Sequence, residues 1–477
     1  MIARSLGSQL LFWFSYLELP LGRSLQLGGG FWFFGVDGRT YFRAAAHAGE
    51  AGLGAIFSLS PTVPSVFYVK VLAVFVWLFG AVVSTALFLN LILYLGTALL
   101  IVRWGARRGV DSRVMAVPLA AISFLPSTIL WSLQPLKDGF VCFLAVLFVV
   151  ALDSFVNERM SNRGQKPTSR LLLITVLLCV CLYAIAGIRW YYALILMSAA
   201  TIPLLSTMAR QVQPRRMLLR TGVVFVVILL LSQQVVAGAG PYLPNGVRDI
   251  LRPWRSEASL ATRINHLGGV IKAARDNFDH YRNAGTRIRS GEKVVAHEPR
   301  REPESNPSSA TTSEGMAAAK ALASVEGSAT PAGPIPEPEL AETSDVPTTR
   351  MGRLTSGLAA LLLPRQVGEA LGMVSIGGGR GMWWFVDVDT ILFLVLAICT
   401  FVLLVAGLRR GAWRDPLVWY LLIATMGITT ALAYTVSNYG TLFRHRQMVV
   451  ATLALIGLAA ARPRMHIAAG PQPPPQA

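Results

Sequence analysis

Charge is what this chain has least of. Only 14% of its 477 residues are Asp, Glu, Lys or Arg, against about 25% in an ordinary soluble domain, and that deficit excludes a soluble globular protein. Acids are the scarcer sign: 25 Asp and Glu stand against 43 Lys and Arg, a net charge of +18. Cysteine is nearly absent. All four, Cys142, Cys179, Cys181 and Cys399, lie inside apolar runs, which excludes a disulfide framework and a thiolate metal site and makes them small buried hydrophobes. A cleavable signal peptide is not expected, because only Arg4 charges the early N-terminus and no small-residue cleavage site follows. No internal repeat is visible, which argues against a repeat-built transporter.

What the chain has instead is long apolar runs. It is 53% hydrophobic with mean hydropathy +0.53, and several runs reach the roughly 17–25 residues that cross a bilayer. The expected fold class is an all-α polytopic membrane protein, since lipid-exposed backbone must satisfy its own hydrogen bonds. The expectation is about ten transmembrane helices, outer-face juxtamembrane helices and one long extracytoplasmic loop. A first, interrupted span runs over Leu10–Phe34, kinked, tilted or partly re-entrant where Glu18, Pro20 and Arg23 break it. Cleaner spans follow at Val83–Val102, Val114–Trp131, Phe140–Val156, Leu171–Gly187, Tyr191–Met208, Thr221–Gly238, Phe385–Gly407, Pro416–Val436 and Val449–Ala461. Ser65–Ala81 is apolar but holds Lys70 and follows Pro61 and Pro64; it is read as a helix lying at the interface.

Alternate loops are basic, with Arg103, Arg107, Arg108 and Arg113, then Arg159, Arg163, Lys166 and Arg170, then Arg210, Arg215, Arg216 and Arg220, then Arg409, Arg410 and Arg414, then Arg462 and Arg464. The positive-inside rule makes these loops cytoplasmic, with both termini on that side of a bacterial inner membrane. Topology therefore accounts for the positive charge, and nucleic acid is not an expected partner. The domain expectation is residues 1–238 as an N-terminal transmembrane region with the first outer loop, 239–384 as an extracytoplasmic loop, 385–463 as C-terminal transmembrane helices and 464–477 as a cytoplasmic tail. About 292–350 is rich in Pro, Ser, Thr, Ala and Glu, too poor in large apolar residues to form a core, so disorder is expected there.

Four polar constellations fall on the other, outer side. In FGVDGRTYFRAAAHAGE, Asp37 follows an aromatic cluster and precedes a helical run beginning at Tyr41, with Gly35 and Gly38 flanking it for a sharp turn. Asp37 is otherwise a solvated loop acid or a helix N-cap, and Arg39, Arg43, His47 and Glu50 a wet helix face. In LPSTILWSLQPLKDGF, Lys137 and Asp138 sit in a tight turn at a helix start. That pair is a phosphate or acid site, or an interfacial anchor with Lys137 snorkelling. In GIRWYY, Arg189 stands among Trp190, Tyr191 and Tyr192, either as an aromatic-belt cation or as a phosphate contact. In SNYGTLFRHRQ, Arg444, His445 and Arg446 crowd the mouth of the last span and suit a phosphate, a diphosphate or an anionic lipid. Asp387 and Asp389 form a second acidic pair or end the long loop.

Taken in order, these motifs resemble the GT-C class of polytopic glycosyltransferases, in particular members from bacterial exopolysaccharide loci. The resemblance covers about the first 200 residues and the last 80. It rests on FGVDGRTYFRAAAHA, Tyr68–Asn90, the Pro…Trp-Ser…Leu-Lys-Asp turn and the closing NYGTLFRHRQ. It implies a polyprenyl-phosphate-linked sugar donor, a glycan or lipid acceptor, and catalysis by the first-loop acid, Asp37. Tyr41, Lys137, Asp138, Arg189, Arg444, His445 and Arg446 are then substrate-binding, with Trp131 and Tyr191 beside the sugar or prenyl path. No cofactor is certain. A divalent cation fits the class, but many members carry two adjacent acids where this chain has Asp37–Gly38, and one carboxylate is a poor ligand set. Two other readings stand beside it: a polysaccharide polymerase or ligase using an undecaprenyl-diphosphate donor through Arg and His, and a non-catalytic transporter or assembly scaffold.

Overall fold

The computed structural model describes residues 2–20, 26–32, 35–59, 63, 65–161, 169–209, 354–355, 358–359, 361–362, 383–435 and 439–461. The span expected at Thr221–Gly238, the disorder expected over 292–350 and the C-terminal tail lie outside these residues. The described part is mostly helical. Five helices are long and apolar enough to cross a membrane, or six if one bent pair counts as a span.

The N-terminus is interrupted where the sequence places its breakers. Helix α1 covers Ile2–Tyr16, and a two-stranded antiparallel hairpin follows, β1 at Gln26–Gly28 and β2 at Phe31–Trp32. Pro20 disfavours helical backbone in the residue before it, Glu18 takes φ 50°, and Gly28, Gly29 and Gly30 all take positive φ at the hairpin turn. One continuous helix over Leu10–Phe34 is therefore not formed.

Helix α2 (Val36–Glu50) and the short α3 (Leu53–Ser58) pack on α4 (Val66–Phe79). At 14 residues, α4 is about 21 Å long, short of the ~30 Å apolar core of a bilayer. Its length suits the interfacial reading. Helix α5 (Val83–Arg107) is the first long apolar helix. Next come α6 (Ser112–Phe124) and α7 (Pro126–Ser132), the pair bent by 50° at Leu125. Then follow α8 (Asp138–Ser161), α9 (Ser169–Ile188) and α10 (Trp190–Ala209). After the undescribed stretch come α11 (Trp383–Arg409), α12 (Pro416–Thr435) and α13 (Tyr439–Ala460). Helix α8 packs on α5 and α9, and α13 packs on α11, α12 and α6. Leu93, Val149, Leu182, Leu196, Leu421 and Val450 meet in one buried apolar cluster.

The break between α6 and α7 frees backbone groups that lipid cannot satisfy, and two charged side chains supply partners. Arg4 donates to the carbonyls of Ile122 (2.5 Å) and Thr128 (3.1 Å), with its guanidinium over the Tyr94 ring. The amide of Ser127 donates to Asp389 Oδ1 at 2.8 Å, and Arg446 balances that carboxylate at 3.1 Å. Asp389 is thus a buried structural partner and not half of a surface acidic pair.

A second ionic cluster ties α5, α8 and α12 at the other end of α8. Arg108 donates to Asp153 (2.6 Å) and Asp415 (2.8 Å), and the Trp104 indole also donates to Asp153. Fifteen helical residues separate Asp153 from Asp138, about 22 Å along α8. Among the described residues, the Arg108 cluster and the Asp138 cluster therefore occupy opposite ends of α8.

Candidate functional site

The site is assembled from five elements. Asp37 lies in the first turn of α2, behind the N-cap Gly35, so it is neither a loop acid nor the cap itself. Neither flanking glycine makes a sharp turn. Both are required for close approach: a Cβ at Gly35 would meet Gln134 Cγ at 2.5 Å, and one at Gly38 would meet Pro135 Cδ at 3.0 Å. Gln134 cannot easily yield, because it is fully buried and its side chain bonds the backbone of Trp32 and Gly30. Gly35→Ala is expected to destabilise the protein by about 1–3 kcal/mol, the cost of overpacking. A thermal melt in detergent reads it, and an unchanged melting temperature would mean the contact is slack.

Asp138 begins α8 and is wholly buried. Arg189, the single residue between α9 and α10, donates to its Oδ1 at 2.6 Å. Arg444 donates to its Oδ2 at 2.5 Å and, through a second nitrogen, to Asp37 Oδ2 at 2.9 Å. The His445 ring lies against the Arg189 guanidinium at 3.2 Å, with Nδ1 3.5 Å from Asp138. Tyr191 accepts from Arg189 at 2.8 Å. Burial alone would lower the Arg189 pKa, but Asp138 beside it holds it above the usual guanidinium range.

Lys137 differs from the two arginines. Its Nζ donates to Ser65 Oγ at 2.5 Å and sits 5.5 Å from the centre of the Tyr41 ring. Among the described residues no carboxylate lies within ion-pair distance of it. Burial, then the neighbouring Arg189, pushes its pKa down to about 8. The Tyr41 phenol is pushed up by burial, although its hydrogen bond to Ser65 opposes that. Ser65, which the sequence reading did not single out, joins the two; it is buried and takes a left-handed backbone, φ 58° and ψ 40°, at the start of α4. Nothing in its sequence context signals that conformation.

Asp37, Tyr41, Lys137, Asp138, Arg189, Arg444 and His445 thus come together. Arg446 does not. Helix α13 begins at Tyr439, ten residues before the expected span, so Arg444 and Arg446 are two helical positions apart and point about 200° from each other. Arg446 is fully buried against Asp389 and Thr390. Trp131 is also turned away, towards Phe443. Arg39, Arg43, His47 and Glu50 are all exposed, the wet face of α2.

The carboxylates differ in availability. The Asp138 side chain is 1% exposed and saturated by cations, whereas the Asp37 side chain is 59% exposed. Among the described residues the cluster therefore presents to solvent one acid, Asp37, held from one side by Arg444, and contains one cation with no carboxylate at ion-pair distance, the half-buried Lys137. Among the described residues no three His, Cys, Asp or Glu side chains gather as a metal-ligand set.

Comparison with known proteins gives no match: no family model, no curated protein and no solved structure matches this chain.

Proposed function

We propose that this chain is a GT-C-type membrane glycosyltransferase. In this reading it has about ten spans with outer-face juxtamembrane helices, and it moves a sugar from a polyprenyl-phosphate-linked donor to a lipid-linked or cell-envelope glycan. The reaction takes place at the outer face of a bacterial plasma membrane. The observation that carries the proposal is the pairing of an exposed acid with an unpaired cation, Asp37 and Lys137, at one end of an apolar helical bundle.

Glycosyl transfer needs a base for the acceptor and charge stabilisation for the leaving phosphate. Asp37 takes the proton of the acceptor hydroxyl. The acceptor oxygen bonds the anomeric carbon as the bond from that carbon to the phosphate oxygen breaks, and the polyprenyl phosphate leaves with the electron pair. Lys137 meets its charge. Arg189 and Arg444, already engaged by Asp138, set the field around the phosphate and hold Asp37 in place. Tyr41 and Ser65 keep the Lys137 ammonium aimed.

A direct pH signature follows from Lys137. Its pKa is lowered to about 8, so the ammonium is present below that pH and lost above it. A phosphodiester donor does not titrate there. Donor binding in proteoliposomes is expected to weaken as pH rises through about 8, and Lys137→Met should flatten that step; a step that survives the substitution would assign it to another group.

Sidedness is tested separately. An impermeant thiol reagent added outside should label Arg39→Cys, next to the site, and not Ser112→Cys, at the far end of the bundle. The reverse pattern would place the site in the cytoplasm and end the outer-face reading. Activity itself is tested by incubating the reconstituted protein with a panel of polyprenyl-phosphate-linked sugars and following label transfer to lipid-linked glycan.

A second reading, a polymerase or ligase with a diphosphate donor, is favoured by the presence of Arg444 and His445 in the same cluster. Both side chains face Asp138, which leaves them less charge to offer a diphosphate than that reading requires.

A further inference from the structure

Behind the Lys137–Asp138 turn lies a cavity of about 60 Å³, walled by α1, α5, α6, α7, α8 and α13, with Leu136 and Gly139 on its rim. That is room for more than one water molecule. Two amide side chains on its wall have unused hydrogen-bonding atoms. Asn90, 7% exposed, gives its Nδ2 to the carbonyls of Ser132 (2.9 Å) and Gln134 (2.8 Å), which fixes the amide and leaves Oδ1 without a partner among the described residues. Gln447, 8% exposed, has an Nε2 without a partner among the described residues. Leaving a buried polar atom unsatisfied costs its full desolvation, so two on one cavity wall point to an occupant.

The wall also selects that occupant. Its one formal charge among the described residues, Arg4, is engaged by the Ile122 and Thr128 carbonyls and the Tyr94 ring. Among the described residues no carboxylate lines the cavity, so a cation has no counter-charge there, and the Arg4 N–H groups that an anion would need are turned to the two carbonyls. What remains is one donor, Gln447 Nε2, and one acceptor, Asn90 Oδ1, with Thr97, Thr128 and Ser132 around them. We infer that the cavity is a binding site for an uncharged hydroxyl group, which accepts from Gln447 and donates to Asn90. Water and a small alcohol share that chemistry. A second cavity of about 30 Å³ runs on from Asn90 and Ser132 along Ser5, Ser8 and Gln9, a polar path beneath α1.

Cys142 lines the same cavity and reports on it, because a thiol must ionise to react and does so only where water reaches it. The test uses the full-length protein in detergent with Cys179, Cys181 and Cys399 replaced by Ala and methyl methanethiosulfonate as a small neutral probe. The folded protein should be modified at Cys142, and Gln447→Met, which keeps the size and removes the donor, should slow modification severalfold. Protection by ethylene glycol assigns the site to alcohols as well as water; absence of protection, with the Gln447→Met effect intact, assigns it to water alone. A Cys142 that reacts only after unfolding, or a rate indifferent to Gln447→Met, overturns the inference. Should Gln447→Met fail to fold, a high-resolution map of the unaltered protein decides: density bridging Asn90 and Gln447 supports the site, and an empty cavity refutes it.

Discussion

Replacing Asp138 by Asn is expected to destabilise the bundle by about 3–5 kcal/mol, the cost of breaking a buried ion pair from one side. That is a large part of the 5–15 kcal/mol that holds an ordinary domain folded. The substitution leaves the shape nearly unchanged, so the effect is electrostatic. Arg189 and Arg444 are buried, and Asp138 is the carboxylate both contact; Arg444 retains only Asp37 and Arg189 retains none among the described residues. The loss should appear as aggregation on size-exclusion chromatography in detergent, or as a strongly lowered melting temperature. Adding Arg189→Gln to Asp138→Asn should recover part of the stability, because the pair then removes one charge of each sign. If Asp138→Asn shifts stability by less than about 1 kcal/mol, or the double variant is worse than either single one, the cluster is not what binds α8, α10 and α13 at this end.

The grouping of Asp37, Lys137, Asp138, Arg189 and Arg444 was legible from loop alternation together with the interfacial reading of Ser65–Ala81, because with one crossing over Ser65–Val102 the sign of the intervening loops puts all five on one side. The pairing within the group was not legible. Hydropathy places the last span after Gln447, since a window containing Arg444, His445 and Arg446 scores as too polar to be buried. Buried partners, Asp138 for Arg444 and Asp389 for Arg446, let the helix begin at Tyr439 and carry those charges inside the bundle. Once α13 starts there, the opposite directions of Arg444 and Arg446 follow from helical geometry, so a single boundary error misplaced Arg446. Gly35 and Gly38 were read as turn-makers because glycine's backbone freedom is visible in sequence, whereas the Gln134–Pro135 backing that requires their missing Cβ atoms lies about a hundred residues away. The interruption of the first span has a local reason: Leu10–Phe34 has a bilayer's worth of apolar residues, but Pro20 and the three consecutive glycines favour a stop and a hairpin.

Asp37→Asn is expected to lower sugar transfer by roughly 10²–10⁴-fold, the usual contribution of a positioned base, with the fold intact. The fold should survive because the Asp37 side chain is 59% exposed, an Asn oxygen still accepts from Arg444, and Arg444 keeps Asp138. Donor binding should change little, since the lost charge is the acceptor's proton partner and not a phosphate contact. Arg444→Ala acts differently. It frees Asp37 from its tether and removes one of the two cations on Asp138, so it should weaken both donor binding and stability; a lost charge-assisted hydrogen bond alone costs about 1.5–3 kcal/mol. The separating measurement is turnover and donor affinity on the same folded samples. An acid-based transferase gives a large fall in turnover for Asp37→Asn at near-constant affinity. A polymerase or ligase acting through Arg and His gives the opposite order, with Asp37→Asn mild and Arg444→Ala and His445→Ala severe. A scaffold gives no transfer from the unaltered protein at all. Full turnover in Asp37→Asn would remove the base from the mechanism and leave Lys137, the cluster's one cation without a carboxylate, as the residue around which a different reaction would have to be built.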